Sequence, residues 1–292
     1  MISFFRFRKN ILLLQNPSLF QKYLFFMFGH DFIGTEIRLA HFLCALRKIP
    51  YFQNGLDAGC GTGDFSFYVA HKYKNATIDA VDIDKNRIEE NNRNKVLLGI
   101  PNVSFFEADI LNMQGNRNKE KKRGAENNKR WKNYDFVFCI GTILYFTKKQ
   151  RLSIAQNLMS LVKPGGHIYF DLPINDYNDL SIIPTKYYPN MYKLIEAKNT
   201  GDLFGFEELE KLLKKNNFTV IYKNKTHNYV GKFAWEFDNV LRERNLNKLR
   251  LVLLPLLRFL ARVDAWTNNK QGCCFCILAK KNNDENSMEK SP

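Results

Sequence analysis

Apolar positions in this chain gather into short runs separated by longer stretches with helical spacing, and the alternation becomes regular after residue 51. An apolar stretch leads into glycines at 59, 61 and 63, and Ala76 to Val81, Val103 to Phe106, Tyr134 to Ile140 and His167 to Leu172 follow as further runs. Residues 64–74, 85–98 and 148–162 lie between them and carry the spacing of helices, the last stopped by Lys163-Pro164-Gly165-Gly166. Nearly unbroken apolar strands suit a parallel sheet covered on both faces. The rhythm predicts an α/β fold with a doubly wound sheet. In such sheets ligands bind beyond the carboxyl ends of the strands, and the acids Asp57, Asp82 and Asp109 all fall at or near predicted strand ends.

Residues 55 to 64 read Gly-Leu-Asp-Ala-Gly-Cys-Gly-Thr-Gly-Asp. Glycines here let the chain turn tightly from strand into helix while its backbone touches a ligand. A dinucleotide loop places its third glycine where this chain has Asp64, and an acid beside a pyrophosphate is repelled. Asp57 and Asp64 are instead compatible with a sulfonium and an amino group. Asp82, 19 residues after Gly63, is placed to accept both hydroxyls of a ribose, and Asp109 to accept from an adenine amino group, with Ile83 and Ile110 flanking the ring. Asp82 and Asp84 also read as helix caps, the preferred reading for Asp84.

Charge changes the picture less than its size suggests. The formal net charge is +15, which points to anionic partners. Residues 114–133, however, hold eight of the Lys and Arg residues and two Glu with almost nothing apolar, and read as a disordered basic insertion. Six cysteines lack paired extracellular spacing, and no secretory leader pattern precedes the domain, so reduced thiols and a cytoplasmic location are expected. Cys273, Cys274 and Cys276 lack a second Cys or His pair at zinc spacing and read as part of a buried strand; no metal is expected.

Five ordered stretches together resemble the class I S-adenosylmethionine-dependent methyltransferases: Leu56-Asp57-Ala58-Gly59-Cys60-Gly61-Thr62-Gly63, Val81-Asp82-Ile83-Asp84, Glu107-Ala108-Asp109-Ile110, Tyr134 to Cys139, and Leu161-Val162-Lys163-Pro164-Gly165-Gly166. The resemblance implies a Rossmann-like seven-stranded sheet whose last strand is antiparallel, closed by residues 217–228 and 272–280, with S-adenosylmethionine as cofactor. Carried over by position, Asp57 and the loop Gly59, Cys60, Gly61, Thr62 and Gly63 hold the methionine end, Asp82 and Ile83 the ribose and adenine, and Asp109 and Ile110 the adenine. Cys139 to Thr142 form the methyl-facing wall. Tyr145 stands where many small-molecule members carry histidine. Absence of Asn-Pro-Pro-Tyr or Asp-Pro-Pro-Tyr after Cys139, and of a proline before it, counts against methylation of nucleobases.

Transfer from a sulfonium needs alignment and exclusion of water rather than a metal. Tyr145, His30 and His227 are the candidates for orienting or deprotonating the acceptor. Residues 1–50 read as a helical cap, 51–172 as the cofactor-binding core, 173–281 as substrate-facing segments with the closing strands, and 282–292 as a disordered tail. Residues 246–266 are apolar around most of a helix, with Arg250, Arg258 and Arg262 on one basic stripe. They are too short and charged to span a bilayer. Three arrangements stay open: a lid with exposed arginines, a homodimer interface, or a helix lying on a membrane. The expected substrate is a small, apolar or lipid-like molecule, methylated on oxygen or carbon. An RNA or protein methyltransferase docking through the basic insertion, and a non-catalytic module that binds the cofactor, are the alternatives; nucleic acid ranks low.

Overall fold

The computed structural model describes residues 32–113, 131, 133–173, 182–190, 205–267 and 272–283. His30, most of the basic insertion and much of the 173–202 stretch lie outside the described residues. In chain order the elements are α1 (Ile33–Leu46), β1 (Asn54–Ala58), α2 (Asp64–Lys72), β2 (Thr77–Asp82), α3 (Lys85–Leu98), β3 (Val103–Glu107) and β4 (Tyr134–Ile140). A 3-10 turn (Ile143–Tyr145), α4 (Lys148–Ser160), β5 (Val162–Pro173), α5 (Phe206–Lys215) and β6 (Phe218–Thr226) follow. Then come α6 (Tyr229–Glu243), α7 (Asn247–Val263), a second 3-10 turn (Asp264–Trp266) and β7 (Cys274–Lys281).

The strands form one seven-stranded sheet in the order β3-β2-β1-β4-β5-β7-β6. Pairs among β1 to β5 are parallel, whereas β7 runs antiparallel to both neighbours. Every residue of β4 is buried. Alternation across the pleat sends Phe136 and Phe138 to one face and Val137 and Cys139 to the other, and each face has its own apolar core. On the first face Phe42 of α1 packs against Phe136, Phe138 and Tyr169, with ring centroids 5.1 to 6.2 Å apart. The Lys163–Gly166 segment, expected as a turn before the fifth strand, is a bulge inside β5. Tyr134 pairs with Val162 and Phe136 with His167, and Gly165 at φ 75° lets the extra residues loop out. Six free cysteines are present, and Cys273, Cys274 and Cys276 are buried in and beside β7.

A third core joins α1, α6 and α7 through Ile33, Ile37, Trp235, Leu254 and Leu257. Here the lid expectation with exposed arginines is corrected. Arg250 and Arg258 point inward: Arg250 Nε lies 2.6 Å from Asp238 Oδ1 on α6, and Arg258 lies 3.3 Å from Glu36 Oε2 on α1. Arg262 Nε reaches the other oxygen of Glu36 at 2.9 Å. Asp238 and Glu36 are themselves buried, so the basic stripe is what they require as counter-charge. Neither acid is adjacent to the stripe in sequence, and this is why helix patterning alone turns α7 the wrong way.

Asp264 joins these layers. It is fully buried, accepts the backbone N–H groups of His227 and Asn228 at 3.0 and 2.9 Å, and lies 2.8 Å from Nε2 of His41 on α1. Asp264→Ala strands all three donors. We expect it to lower unfolding free energy by about 3 kcal/mol, read from the urea midpoint; a loss under about 0.5 kcal/mol, as at an ordinary surface position, would contradict this role.

Candidate active site

At the carboxyl edge of β1 the chain turns through Gly59, Gly61 and Gly63, all with left-handed φ of 80°, 52° and 73°. Gly59 is required twice over. Its φ suits glycine, and a Cβ there would stand 2.2 Å from the methyl of Thr142, whose hydroxyl donates to Gly59 O at 2.9 Å. That contact ties the end of β1 to the end of β4. Three successive amides of the same loop are tied to the end of β2: Gly59 and Cys60 donate to Val81 O at 2.8 Å each, and Gly61 donates to Asp82 Oδ2 at 2.7 Å. Asn91 of α3 donates from Nδ2 to Gly61 O at 2.8 Å.

The acids divide by partner. Asp84 caps α3, accepting from the amides of Asn86 and Arg87, as its cap reading expects. Asp82 is partly exposed, with one bond into the loop and one, on Oδ1, from Asp84 N at 3.0 Å. Each oxygen thus retains acceptor capacity. Asp109 accepts from Leu111 N and Asn112 Nδ2 in a local turn and is also partly exposed. Asp57 is different. It is buried beneath the first turn of α2, where Ser66 Oγ donates to it at 2.5 Å and the Ser66 backbone also bonds to it. A helix N-terminus is an anion site, and here the protein's own carboxylate occupies it. Burial pushes the Asp57 carboxyl up to about 7, with the Ser66 bond opposing and the charge of Asp82 adding.

Ile83 is 69% exposed at the end of β2, whereas Ile110 is 4% exposed and belongs to the core. Of the two residues expected to flank an adenine, only Ile83 offers open apolar surface. Cys139 is buried in the apolar core of one sheet face, and burial pushes its thiol far above the usual range, which argues against a nucleophile. Tyr145 is 63% exposed on the turn after β4, a turn held by Arg151, which donates to the carbonyls of Ile143 and Leu144. His227 is elsewhere. It follows β6, three strands from β4 and so about 14 Å across the sheet, and it is buried with its Nδ1 3.0 Å from Thr226 Oγ1.

Sequence reasoning missed Arg38 and Asp171. Arg38 of α1 lies against Gly141 at the end of β4, where an added Cβ would be 2.8 Å from its guanidinium, and its Nε is 3.2 Å from Asp171 Oδ1 at the end of β5. A glycine directly after the apolar run 134–140 is the available signal, and in the structure Gly141 takes φ 65° where the chain is closely approached. The partner of that approach lies a hundred residues away.

A family model described as "Methyltransferase domain" matches residues 53–200. The chain belongs to the class I S-adenosylmethionine-dependent methyltransferases. Their cofactor is S-adenosylmethionine. A malonyl-[acyl-carrier protein] O-methyltransferase of Ilyobacter polytropus is 32% identical over 117 residues, 40% of this chain and 37% of that protein. A phosphoethanolamine N-methyltransferase of Arabidopsis thaliana is 24% identical over 75% of this chain and 40% of that protein. The chain therefore spans two fifths or less of the length of these relatives. Among solved structures, a protein described as a sarcosine dimethylglycine methyltransferase of Galdieria sulphuraria aligns over 86% of each chain with TM-score 0.53 and 15% identity, a likeness of fold. Within the described residues of this methyltransferase no helix is long and apolar enough to cross a membrane.

The raised Asp57 has a measurable signature. An unfolded aspartate titrates near 4, so between about pH 4 and 7 the folded state holds a proton that the unfolded chain has lost. The stability this contributes is complete below about pH 4 and is lost as pH rises through 7. In cofactor-free protein, the unfolding free energy of the wild type relative to Asp57→Asn is expected to drop by on the order of 2–4 kcal/mol between pH 4.5 and 8. A difference that stays flat with pH would show an ordinary carboxylate.

Proposed function

We propose that this methyltransferase transfers a methyl group from S-adenosylmethionine to an oxygen or carbon of a small, apolar or lipid-like acceptor. The observation that carries the cofactor placement is the Asp57 carboxylate seated at the α2 N-terminus. It removes the site a pyrophosphate needs and, with Asp64 and Asp82 nearby, makes the loop suited to a cationic amino-acid end. Gly59, Cys60, Gly61, Thr62 and Gly63 form the floor under that end. The remaining acceptor capacity of Asp82 suits the ribose hydroxyls, and Ile83 and Asp109 suit the adenine. When bound, the cofactor supplies an electrophilic methyl on a sulfonium.

The chain's own residues then align and shield. Thr142 holds the end of β4 against the loop, so the wall from Cys139 to Thr142 faces the methyl. Tyr145 stands on the rim of that wall, exposed, and can orient an acceptor through its phenol, whereas His227 is buried and about 14 Å away across the sheet. Arg38 and Asp171 close the side toward β5 and supply a paired charge against which an acceptor's polar group can be placed. The apolar layer of α1, α6 and α7 beside this edge favours an acceptor with an apolar body.

The test is incubation with methyl-labelled S-adenosylmethionine and a cell extract, followed by separation into organic-soluble, small polar, nucleic-acid and protein fractions. Label is expected in the organic-soluble or small-molecule fraction, with transfer reduced about tenfold or more by Asp171→Asn if the β5 end faces the acceptor. Label confined to nucleic acid or protein would overturn the reading.

A further inference from the structure

With Arg250 and Arg258 turned inward, α7 presents an apolar line outward. Leu249, Val252, Leu256, Phe259 and Trp266, the last just beyond the helix, recur at intervals of three, four, three and seven residues. They lie about 180° around the helix from the buried Leu254, Leu257 and Ala261. Their exposures are 47, 74, 54, 54 and 70%. One exposed leucine is unremarkable, but a continuous line of five large apolar side chains marks an interaction surface.

The line does not end in neutral surface. The Phe259 ring meets Trp266 edge-on with centroids 6.5 Å apart, and Trp266 forms part of the wall of a cleft of about 690 Å³ between α1, α2 and the turn after α7. Leu39, Leu43 and Tyr68 supply apolar or aromatic lining, while Arg47, His71, Lys72 and Lys74 surround it. The acid in the lining, Glu36, is engaged by Arg258 and Arg262. Lys72 is held below the usual lysine range by desolvation and by the nearby Arg47, a crowding that an anion would relieve. A second copy of the chain packed on this face by a twofold axis would add cations to cations. The complementary partner is apolar in one layer and anionic in the next.

We propose that this face docks on a bilayer containing anionic phospholipid. Helix α7 lies in the interfacial plane with Leu249, Val252, Leu256, Phe259 and Trp266 at the acyl boundary, and the cleft ringed by Arg47, His71, Lys72 and Lys74 faces the headgroup phosphates. The inference is independent of the acceptor's identity, and it places the molecule at a surface where apolar acceptors are dissolved.

The test is flotation of the full chain with phosphatidylcholine vesicles, with and without phosphatidylglycerol, at low and physiological salt. We expect binding at least about tenfold stronger with phosphatidylglycerol and weakened by salt. Val252→Asp combined with Phe259→Asp should reduce binding about tenfold or more. Lys72→Glu with Lys74→Glu should remove the preference for phosphatidylglycerol. Brominated lipid should quench the tryptophan emission of the wild type and do so much less in Trp266→Phe, a reading that does not depend on the charged variants folding. Absence of vesicle binding, binding untouched by the α7 pair, or quenching unchanged in Trp266→Phe would each overturn the proposal. So would a dimer in sedimentation that the α7 pair splits into monomers.

Discussion

The site depends on one constraint: the turn after β1 gives its amide protons to the end of β2. Gly59 and Cys60 donate to Val81 O, and Gly61 donates to the Asp82 carboxylate. Only a backbone with left-handed φ at Gly59 and Gly61 aims those groups that way. Once they are committed, the loop is a rigid shelf and not a ring of free amides, so it is a poor cradle for phosphate. The shelf also fixes where Asp82 stands, because the carboxylate that anchors Gly61 is the one the proposed placement gives to the ribose. Packing, charge and cofactor placement therefore rest on a handful of hydrogen bonds at the switch point of the sheet.

Around this shelf the negative charges have separate tasks. Asp84 caps α3, Asp82 ties the glycine loop to the turn after β2, and Asp57 sits at the N-terminus of α2. Burial is the main force against ionisation of Asp57, the Ser66 hydrogen bonds offset part of it, and the neighbouring charges of Asp82 and Asp64 add to the opposition. A cation arriving above the loop relieves that opposition. On the proposed placement, a positively charged amino-acid end is favoured by electrostatics and the adenine falls to Ile83 and Asp109, which spreads recognition along three successive strand ends.

Much of this is legible in the amino-acid order because it is local. The glycine spacing, the aspartate after β2, and the helices Lys85–Leu98 and Lys148–Ser160 are set by contacts within a few dozen residues and by periodicity. The bulge at Lys163–Gly166 reads as a turn because glycine and proline mark both, and only pairing with β4 distinguishes them. Arg38 against Asp171 and the inward turn of Arg250 and Arg258 are not legible, since each is decided by an acid on another element, more than a hundred residues away for Arg38 and Arg258 and on the preceding helix for Arg250. Ile110 is a similar case: being next to Asp109 puts it near the ligand edge, but the turn after β3 buries its side chain in the core.

The α7 reversal links stability to the outer surface. Satisfying Glu36 and Asp238 with arginine leaves the opposite, apolar side of the helix in water, so the ion pairs inside and the apolar line outside are two aspects of one choice. That choice does not touch the cofactor shelf, where Asp82 is the residue proposed to meet the ribose. Calorimetric titration of S-adenosylmethionine into wild type and Asp82→Asn tests it directly. Affinity should fall by at least about tenfold, or about 1.4 kcal/mol, in the variant; equal affinity in a folded variant would contradict the placement of the cofactor.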